Sequence, residues 1–266
     1  MKEGGVQRHY DSLDAVYRVV WGESLHHGVW ETGRESRAEA IANHQELVMT
    51  AVERNGAPKR VVDIGCGYGV LSRLMWQRWA AEVYGVTNSM QQWSWCEDEE
   101  GLYFSFGEWE AIEIHKLFDA ATAVEVTGHV QDLDRFFAVT AERVATDGVF
   151  VIADFFRTER ISASTRQKLE RDGRFTELRR LCSLVAAAEA NGWRLERRQD
   201  LTELVAPTWV IMWRRLWSKA WISPSMWKAA IRAPRDLRLG AVPRMIRAYQ
   251  NGGIEYAVLE FRRIKS

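Results

Sequence analysis

The fold is decided by residues 60–79, which have the sequence RVVDIGCGYGVLSRLMWQRW. A run rich in β-branched residues comes first, glycines follow at positions 65, 67 and 69, and apolar residues at helical spacing end the stretch. β-Branched residues favour strands, glycine permits the positive φ angles of a tight turn, and the last pattern is typical of an amphipathic helix. The sequence therefore predicts a strand, a glycine-rich turn and a helix in direct succession.

Further stretches with the composition of strands follow this unit along the chain. They cover residues 81–86, 103–106, 117–124, 149–155, 193–204 and 252–263. Helical or loop segments separate the earlier ones, which predicts a mainly parallel sheet covered on both faces. We therefore predict an α/β fold, a Rossmann-like seven-stranded and mostly parallel sheet with helices on both faces.

Helices can be placed from capping signals and apolar spacing. A capping box that begins at Ser36 predicts a helix over residues 36–55. Asp132 can cap a second helix, which carries Val144 and ends at an Asp-Gly pair. Apolar spacing predicts a third helix over residues 176–190.

Charge and cysteine content argue against several classes of protein. The 36 Lys and Arg balance 36 Asp and Glu, whereas nucleic-acid-binding modules usually carry a basic excess. The charge-rich residues 157–180 are expected to form a solvated helical face. The three cysteines show no C-x-x-C spacing, and Cys66 is expected to be inert inside the turn. With no apolar stretch of membrane-spanning length and no signal peptide, we expect a cytoplasmic protein with no nucleic-acid partner.

The glycine turn also constrains the ligand. Dinucleotide-binding proteins favour G-x-G-x-x-G, with an acidic residue about 20 positions later for the ribose. The turn here is G-x-G-x-G, and the second strand runs into Thr87-Asn88-Ser89, which has no carboxylate. A ligand without a pyrophosphate group is therefore favoured.

At this point the sequence resembles the class I S-adenosylmethionine-dependent methyltransferases. VVDIGCGYG matches their first motif, and VYGVTNSMQQ resembles the GxTxSxxQ element of the cyclopropane-synthase-like and tocopherol-methyltransferase-like branches. GEWE resembles their G-D-W element, FDAATAVEVTGHV their strand-four motif, and residues 141–154 the element that follows. Residues 9–30, which begin with HYD and end in HHGVW, resemble the amino-terminal lid of the same branches.

The resemblance implies S-adenosylmethionine as cofactor and S-adenosylhomocysteine as product. It places Thr87 and Gln92 at the ribose, Glu108 and Trp109 at the adenine, and an aromatic lid over the methionine end. Asp63 could instead merely cap the turn, and Glu125 could be a solvated strand end, although strand carboxyl ends bind ligands in α/β proteins. The predicted cofactor-binding residues are Tyr10, Trp30, Asp63, Gly65, Gly67, Gly69, Thr87, Asn88, Gln92, Glu108, Trp109, Val124 and Glu125.

Tryptophan is unusually abundant, with 13 residues, and four of them recur every fourth position at Trp209, Trp213, Trp217 and Trp221. On a helix this spacing forms one stripe, which could pack on the core, line an apolar pocket or contact a lipid surface. The resemblance places this insertion over the substrate site and so favours the pocket. The predicted pocket residues are Trp209, Trp213 and Tyr256.

The predicted domains are a helical lid at 1–56, a cofactor-binding core at 57–205, a Trp-rich helical cap at 206–251 and a final strand at 252–266. The predicted reaction is methyl transfer to an apolar or aromatic small molecule of the natural-product or isoprenoid type. His129 is the first candidate for the proton acceptor, because imidazole titrates near pH 6.5, although a lone histidine can also be a core residue. A homodimer is possible, and His26, His27 and His44 lack metal-ligand spacing, so no metal is predicted.

Three alternatives stay open. A cyclopropane synthase would carry Glu where this chain has Gly128 and Cys in the lid where it has His26-His27-Gly28. A prenyl-diphosphate C-methyltransferase would need magnesium and arginines such as Arg157, Arg160 and Arg166, but no acidic cluster is evident. A non-catalytic S-adenosylmethionine-binding partner protein would bind cofactor without turnover.

Overall fold

The computed structural model describes residues 22, 24, 26–54, 56–173, 175–220 and 240–264. The lid residue Tyr10 and the last tryptophan of the stripe, Trp221, lie outside the described residues. The predictions made for those two residues therefore stay predictions.

Helices and strands alternate through most of the described chain. The strands are β1 (Arg60–Ile64), β2 (Glu82–Thr87), β3 (Leu102–Phe106), β4 (Phe118–Val124), β5 (Val144–Arg157), β6 (Trp193–Asp200) and β7 (Ile254–Arg263). The helices before β6 are α1 (Arg37–Glu53), α2 (Val70–Trp79), α3 (Met90–Trp93), α4 (Leu133–Arg143), α5 (Ala163–Gly173) and α6 (Leu181–Ala190). Between β6 and β7 lie α7 (Thr202–Val205), α8 (Pro207–Ala220) and α9 (Ala241–Gln250).

The strands form one seven-stranded sheet in the order β3-β2-β1-β4-β5-β7-β6. The pairs from β3 to β5 are parallel, and β7 is antiparallel to both β5 and β6. From β1 the chain adds β2 and then β3 on one side, and it adds β4 on the other side of β1. The direction in which strands are added therefore reverses between β1 and β4. This confirms the predicted Rossmann-like fold and places the carboxyl ends of β1 and β4 side by side, where such sheets bind ligands.

Each face of the sheet carries its own hydrophobic core. Along β5, Val151 and Phe155 pack on one side, and Phe150 and Ile152 pack on the other. Helices α1, α2 and α9 contribute to the first core, and α4 and α6 to the second. Alternate side chains of a central strand point to opposite faces, so near-continuous apolar strands are expected when both faces are covered.

The helix predicted from Asp132 ends earlier than expected. Asp132 caps α4, its side chain accepting from the Arg135 backbone N–H, but the helix stops at Arg143. Val144 starts β5 and pairs with Phe118 of β4. Because Val144 is buried and β-branched, sheet pairing overrides the helical spacing that predicted its place in α4.

The helix predicted over 176–190 starts late, at Leu181. Residues just before it make hydrogen bonds to the end of β5 and to the loop after β4. The Arg157 N–H donates to the Arg179 carbonyl, and the Thr176 N–H donates to the Gly128 carbonyl. The helical face predicted within 157–180 is α5, which covers Ala163–Gly173. Hydrogen bonds to residues that are distant in sequence hold residues 176–180 out of the helix.

The strand predicted over 193–204 also ends early, at Asp200. The Asp200 carboxylate accepts from the N–H and the hydroxyl of Thr202, at 2.9 and 2.6 Å, and α7 follows. The helical insertion predicted over 206–251 is present, in its described part, as α8 and α9 between β6 and β7. In the part of the chain that the structure describes, no helix is both long and apolar enough to cross a bilayer.

Candidate active site

The glycine turn lies at the carboxyl end of β1, and its three glycines have different surroundings. All have positive φ, at 74° for Gly65, 58° for Gly67 and 73° for Gly69. A Cβ at Gly65 would lie 2.4 Å from Val126, and one at Gly69 would lie 2.4 Å from the Phe104 ring. A Cβ at Gly67 would meet only the Gln92 amide, at 4.0 Å.

The open space over Gly67 fits a bound cofactor. Gln92 is buried, and its Oε1 accepts from the Thr87 hydroxyl at 3.2 Å, so the structure brings both predicted ribose residues to the turn. The Thr87 oxygen also accepts from the Ser89 N–H at 3.3 Å. These contacts fix the Gln92 amide beside the one turn glycine whose outer face is open, as a polar ligand would require.

Asp63 is held by two hydroxyl groups of the protein. Its carboxylate accepts from Ser72 at 2.6 Å and from Thr122 at 2.8 Å. Burial raises the pKa of Asp63 to about 6, against the opposing effect of these two hydrogen bonds. Both oxygens thus have partners that tie β1 to α2 and β4, which favours the structural interpretation, and a cofactor contact stays a prediction.

Of the two predicted adenine residues, Glu108 is exposed and Trp109 is buried. The Asn88 amide donates to Glu108 at 3.1 Å at the surface. Trp109 is buried, its indole N–H donates to Thr140 at 2.8 Å, and the Arg143 guanidinium lies over its ring at 4.4 Å. Trp109 therefore anchors this loop to α4, and its place at the adenine stays a prediction.

Glu125 follows the last residue of β4, Val124, and has an unusual backbone conformation. Its φ is 58°, and its N–H donates to the Ala153 carbonyl of β5 at 2.8 Å. One carboxylate oxygen, Oε1, accepts three hydrogen bonds. The donors are the backbone N–H of His27 at 2.8 Å, its Nδ1 at 2.9 Å and the hydroxyl of Tyr256 at 3.1 Å.

The contacts of His27 determine its tautomer. The Trp209 indole N–H lies 2.7 Å from His27 Nε2, and the Tyr249 hydroxyl lies 3.3 Å from the same atom. An indole N–H can only donate, so Nε2 must carry the lone pair. The proton of a neutral His27 is therefore on Nδ1, where it is donated to Glu125.

A second histidine completes this network, which we call the Glu125 cluster: His27, His44, Glu125, Trp209, Tyr249 and Tyr256. His44 Nε2 lies 2.9 Å from the Tyr256 hydroxyl. Since the Tyr256 hydroxyl donates to Glu125, His44 donates to Tyr256 from Nε2. Burial lowers the pKa of His44 to about 3, so this ring is neutral at neutral pH.

Glu125 itself is an anion. Burial on its own would raise the pKa of this carboxyl, but the hydrogen bonds from His27 hold the pKa below its usual range. The side chain keeps 13% of its surface exposed. Among the described residues no donor reaches Oε2, so this oxygen is available to a ligand at the carboxyl end of β4.

His129, the predicted proton acceptor, lies apart from the Glu125 cluster. Its ring centroid is 5.0 Å from that of Phe175, which is 5.3 Å from that of Phe155. Phe155 in turn lies 5.8 Å from the His27 ring. Ring contacts through Phe175 and Phe155 thus connect His129 to the His27 ring, and the catalytic role of His129 stays a prediction.

The lid segment that ends at Trp30 is anchored to the cap. The Trp30 indole N–H donates to the Thr208 hydroxyl of α8 at 2.9 Å, and the Gly28 N–H donates to the same oxygen at 3.0 Å. A Cβ at Gly28 would lie 2.7 Å from that of Ala40, so glycine permits close packing against α1. Trp30 is buried in this junction, and its contact with the cofactor stays a prediction.

The tryptophan stripe divides along α8. Trp209 packs on the core and belongs to the Glu125 cluster, together with the predicted pocket residue Tyr256. Trp213 instead contacts Trp217, with ring centroids 5.4 Å apart, and Trp217 is 49% exposed. The structure thus places Trp209 and Tyr256 at one site, and Trp213 one turn further along the helix.

The sequence-based site omits four residues that hold this region together: His27, His44, Thr208 and Tyr249. His27 stands in the HHGVW element, where only the tryptophan was assigned a role. Thr208 and Tyr249 have no local signal, because their partners are distant in sequence. Within the described ranges, no group of three His, Cys, Asp or Glu side chains could hold a metal ion.

The comparisons with known sequences agree on methyltransferases. A family model described as "Methyltransferase domain" matches residues 34–199. A protein of Oryza sativa subsp. japonica named "Probable tocopherol O-methyltransferase, chloroplastic" is 28% identical, over 99% of this chain and 78% of its own length. The sterol 24-C-methyltransferase of Schizosaccharomyces pombe is 25% identical, over 74% of this chain and 56% of its own length.

Solved structures share the fold. The mycolic acid cyclopropane synthase CmaA1, crystallised with SAH and CTAB, superposes with a TM-score of 0.81 and covers 97% of each chain. Its sequence identity is 18%, so this likeness concerns the fold.

Proposed function

Because the chain belongs to the family described as a methyltransferase domain, we propose that it methylates an apolar or aromatic small molecule. The membership confirms the predicted class of enzyme, and the cofactor is S-adenosylmethionine. The observation that carries the proposed acceptor is the Glu125 cluster. An anionic carboxylate stands at the ligand-binding edge of the sheet, and aromatic side chains of the cap and of β5 surround it.

The aromatic surroundings suit an apolar acceptor with one polar group. Phe155, Trp209, Tyr249 and Tyr256 all have ring centroids within 6.0 Å of the His27 ring. Such rings bind flat or branched hydrocarbon surfaces and stabilise a developing cation. A tocopherol and a sterol, the acceptors named for two relatives, combine an extended hydrocarbon with a hydroxyl group.

The chemistry divides between the cofactor and the protein. When held at the open face of Gly67 beside Gln92, S-adenosylmethionine would supply a methyl group, whose bond to the sulfonium sulfur would break as the acceptor's electron pair bonds to the methyl carbon. We propose that Glu125 Oε2 accepts the proton that the acceptor then loses. A carboxylate of low basicity suffices, because a hydroxyl oxygen or carbon that has gained a methyl group is a far stronger acid than a carboxylic acid.

His27 is the positioning residue in this scheme. It donates twice to Oε1, from its backbone and from Nδ1, which leaves Oε2 directed to the ligand. Trp209 holds the His27 tautomer that makes the second bond possible. His129 is the competing proton acceptor, and it would act without help from this cluster.

The proposal is tested by incubating the full chain with S-adenosylmethionine and four acceptors, then measuring S-adenosylhomocysteine. The acceptors are a prenylated phenol, a sterol, a prenyl diphosphate with magnesium and an unsaturated phospholipid. We expect turnover with the phenol or the sterol, and loss of turnover with normal cofactor binding in Glu125→Gln. Turnover with the diphosphate or the phospholipid alone would favour a prenyl-diphosphate C-methyltransferase or a cyclopropane synthase.

A non-catalytic partner protein would give a different result. It would bind S-adenosylhomocysteine in calorimetry. It would form no S-adenosylhomocysteine from S-adenosylmethionine with any acceptor, including the compounds of a cell extract. Cytoplasmic location, a homodimer, a role in natural-product biosynthesis and the absence of a nucleic-acid partner stay predictions alongside this proposal.

A further inference from the structure

Two of the three cysteines lie together behind the glycine turn. Cys66 stands within the turn, and Cys96 follows α3. The Cys66 sulfur lies 3.8 Å from the Gly67 carbonyl oxygen, and the Cys96 sulfur lies 3.7 Å from the same atom. The two sulfurs therefore lie against the same carbonyl oxygen, and each thiol affects the pKa of the other.

Their environments make them unequal. Cys66 is buried, and burial raises the pKa of its thiol. Cys96 is partly exposed, and the hydrogen bond from Cys66 lowers the pKa of its thiol, with help from the Arg73 guanidinium against burial. Arg73 is fixed by its hydrogen bond to the Tyr68 carbonyl at 2.7 Å. A partly exposed thiol beside a cation and a second thiol is the usual arrangement of an oxidant-sensitive cysteine.

We propose that Cys66 and Cys96 are a modification site, a thiol pair that a hydroperoxide converts to an intramolecular disulfide. The Cys96 thiolate attacks the peroxide oxygen, the O–O bond breaks, and the leaving oxygen takes a proton, which gives a sulfenic acid and water or an alcohol. The Cys66 sulfur then attacks the Cys96 sulfur, and the S–O bond breaks. The departing hydroxide takes the Cys66 proton as water, so two thiols and one hydroperoxide are consumed.

Disulfide formation alters the cofactor side of the turn. A disulfide joins two sulfurs at about 2 Å, closer than hydrogen-bonded thiols lie. Gly67 contacts both sulfurs through its carbonyl, and the Gln92 carbonyl lies 3.6 Å from the Cys96 sulfur. Both residues flank the open face of the turn, so oxidation weakens cofactor binding. This consequence rests on the proposed cofactor site, whereas the thiol pair itself does not.

The disulfide is tested by treating the full chain with hydrogen peroxide and mapping tryptic peptides without reduction. Trypsin separates the two cysteines into peptides 61–73 and 79–116. We expect these peptides to become linked within one chain, while the exposed Cys182 supplies an internal control. Cys182→Ser should still form the link, and Cys96→Ser should not. Oxidation of Cys182 with both other thiols reduced, or links only between chains, would overturn the proposal.

The consequence is tested by calorimetry with S-adenosylhomocysteine. The oxidised protein should bind at least tenfold more weakly than the reduced protein, and dithiothreitol should restore the affinity. The affinity of Cys96→Ser should not change with peroxide. A linked protein with unchanged affinity would refute the effect on the cofactor. A reduced protein that binds no S-adenosylhomocysteine while the link still forms would instead refute the cofactor site.

Discussion

Gly67 differs from the glycines beside it, because the space over its α-carbon is open while theirs is filled by protein side chains. Gly67→Ala should therefore fold, at a cost of about 1–2 kcal/mol for an alanine at positive φ. Its methyl group would occupy cofactor space, so we expect affinity for S-adenosylhomocysteine to fall at least tenfold in calorimetry.

Gly69→Ala is the matched control for this prediction. Its Cβ would lie 2.4 Å from the Phe104 ring, so the variant should melt earlier than Gly67→Ala. If the two variants had equal melting temperatures and equal affinities for S-adenosylhomocysteine, positions 67 and 69 would be equivalent. That result would contradict the difference in their surroundings.

The raised pKa of Asp63 predicts that the free energy of unfolding depends on pH. Its folded pKa of about 6 lies above the reference value of 3.8, so the folded state holds a proton that the unfolded state has lost between these values. Stability from this group is greatest below about pH 4 and is lost as pH rises through about 6. The difference of about 2 units corresponds to about 3 kcal/mol for this buried group.

Asp63→Asn should remove that dependence, because the hydroxyls of Ser72 and Thr122 can donate to an amide or accept from it. In urea unfolding at pH 4.5 and pH 8, we expect the variant to gain stability relative to the wild type as pH rises. Parallel changes in both proteins would show that Asp63 is ionised in the folded state throughout.

At the scale of elements, strand and helix cores could be predicted from sequence, but their ends could not. Residues 60–79 have all their structural determinants within a few positions, so their strand, turn and helix follow from local preference. Val144 and residues 176–180 have helical spacing, yet partners on β4, on the loop after β4 and at the end of β5 hold them out of the helices. Local periodicity carries no information about such distant partners.

The cap helix α8 contains two tryptophans with different contacts, which makes them a matched pair. Trp209→Phe keeps an aromatic ring at this position but removes the indole N–H that donates to His27 Nε2. Loss of this hydrogen bond should lower kcat about tenfold, in line with about 1–1.5 kcal/mol for one hydrogen bond, while cofactor affinity changes less than twofold.

Trp213→Phe should leave kcat within twofold of the wild type, because its ring contacts Trp217 rather than the Glu125 cluster. Steady-state kinetics at saturating cofactor distinguish the two variants. If both lower kcat equally, the stripe acts as one apolar wall, and the specific bond to His27 has no role in turnover.

At the scale of the whole molecule, the Glu125 cluster joins residues from opposite ends of the described chain. His44 and Tyr256 are 212 positions apart, and Trp209 and His27 are 182 positions apart. The glycine turn could be predicted because it is local, whereas this cluster exists only after α1, β4, α8 and β7 have packed. Sequence patterns accordingly indicated Glu125 and Tyr256 separately and did not indicate that they touch.

The identity of the proton acceptor determines how the rate responds to pH. His27 and its hydrogen bonds hold Glu125 ionised well below neutral pH, so kcat/KM for the acceptor at saturating cofactor should stay level from pH 8 to about pH 5.5. If His129 accepted the proton instead, the rate would fall about tenfold per unit below its pKa, near 6.5 for an unperturbed imidazole. Glu125→Gln should lower the rate at every pH, because the amide cannot take the proton, while His129→Gln should keep the level profile. A profile that declines below pH 6.5 in the wild type and becomes level in His129→Gln would transfer the role to His129, and Glu125 would then serve only to hold the lid and cap together.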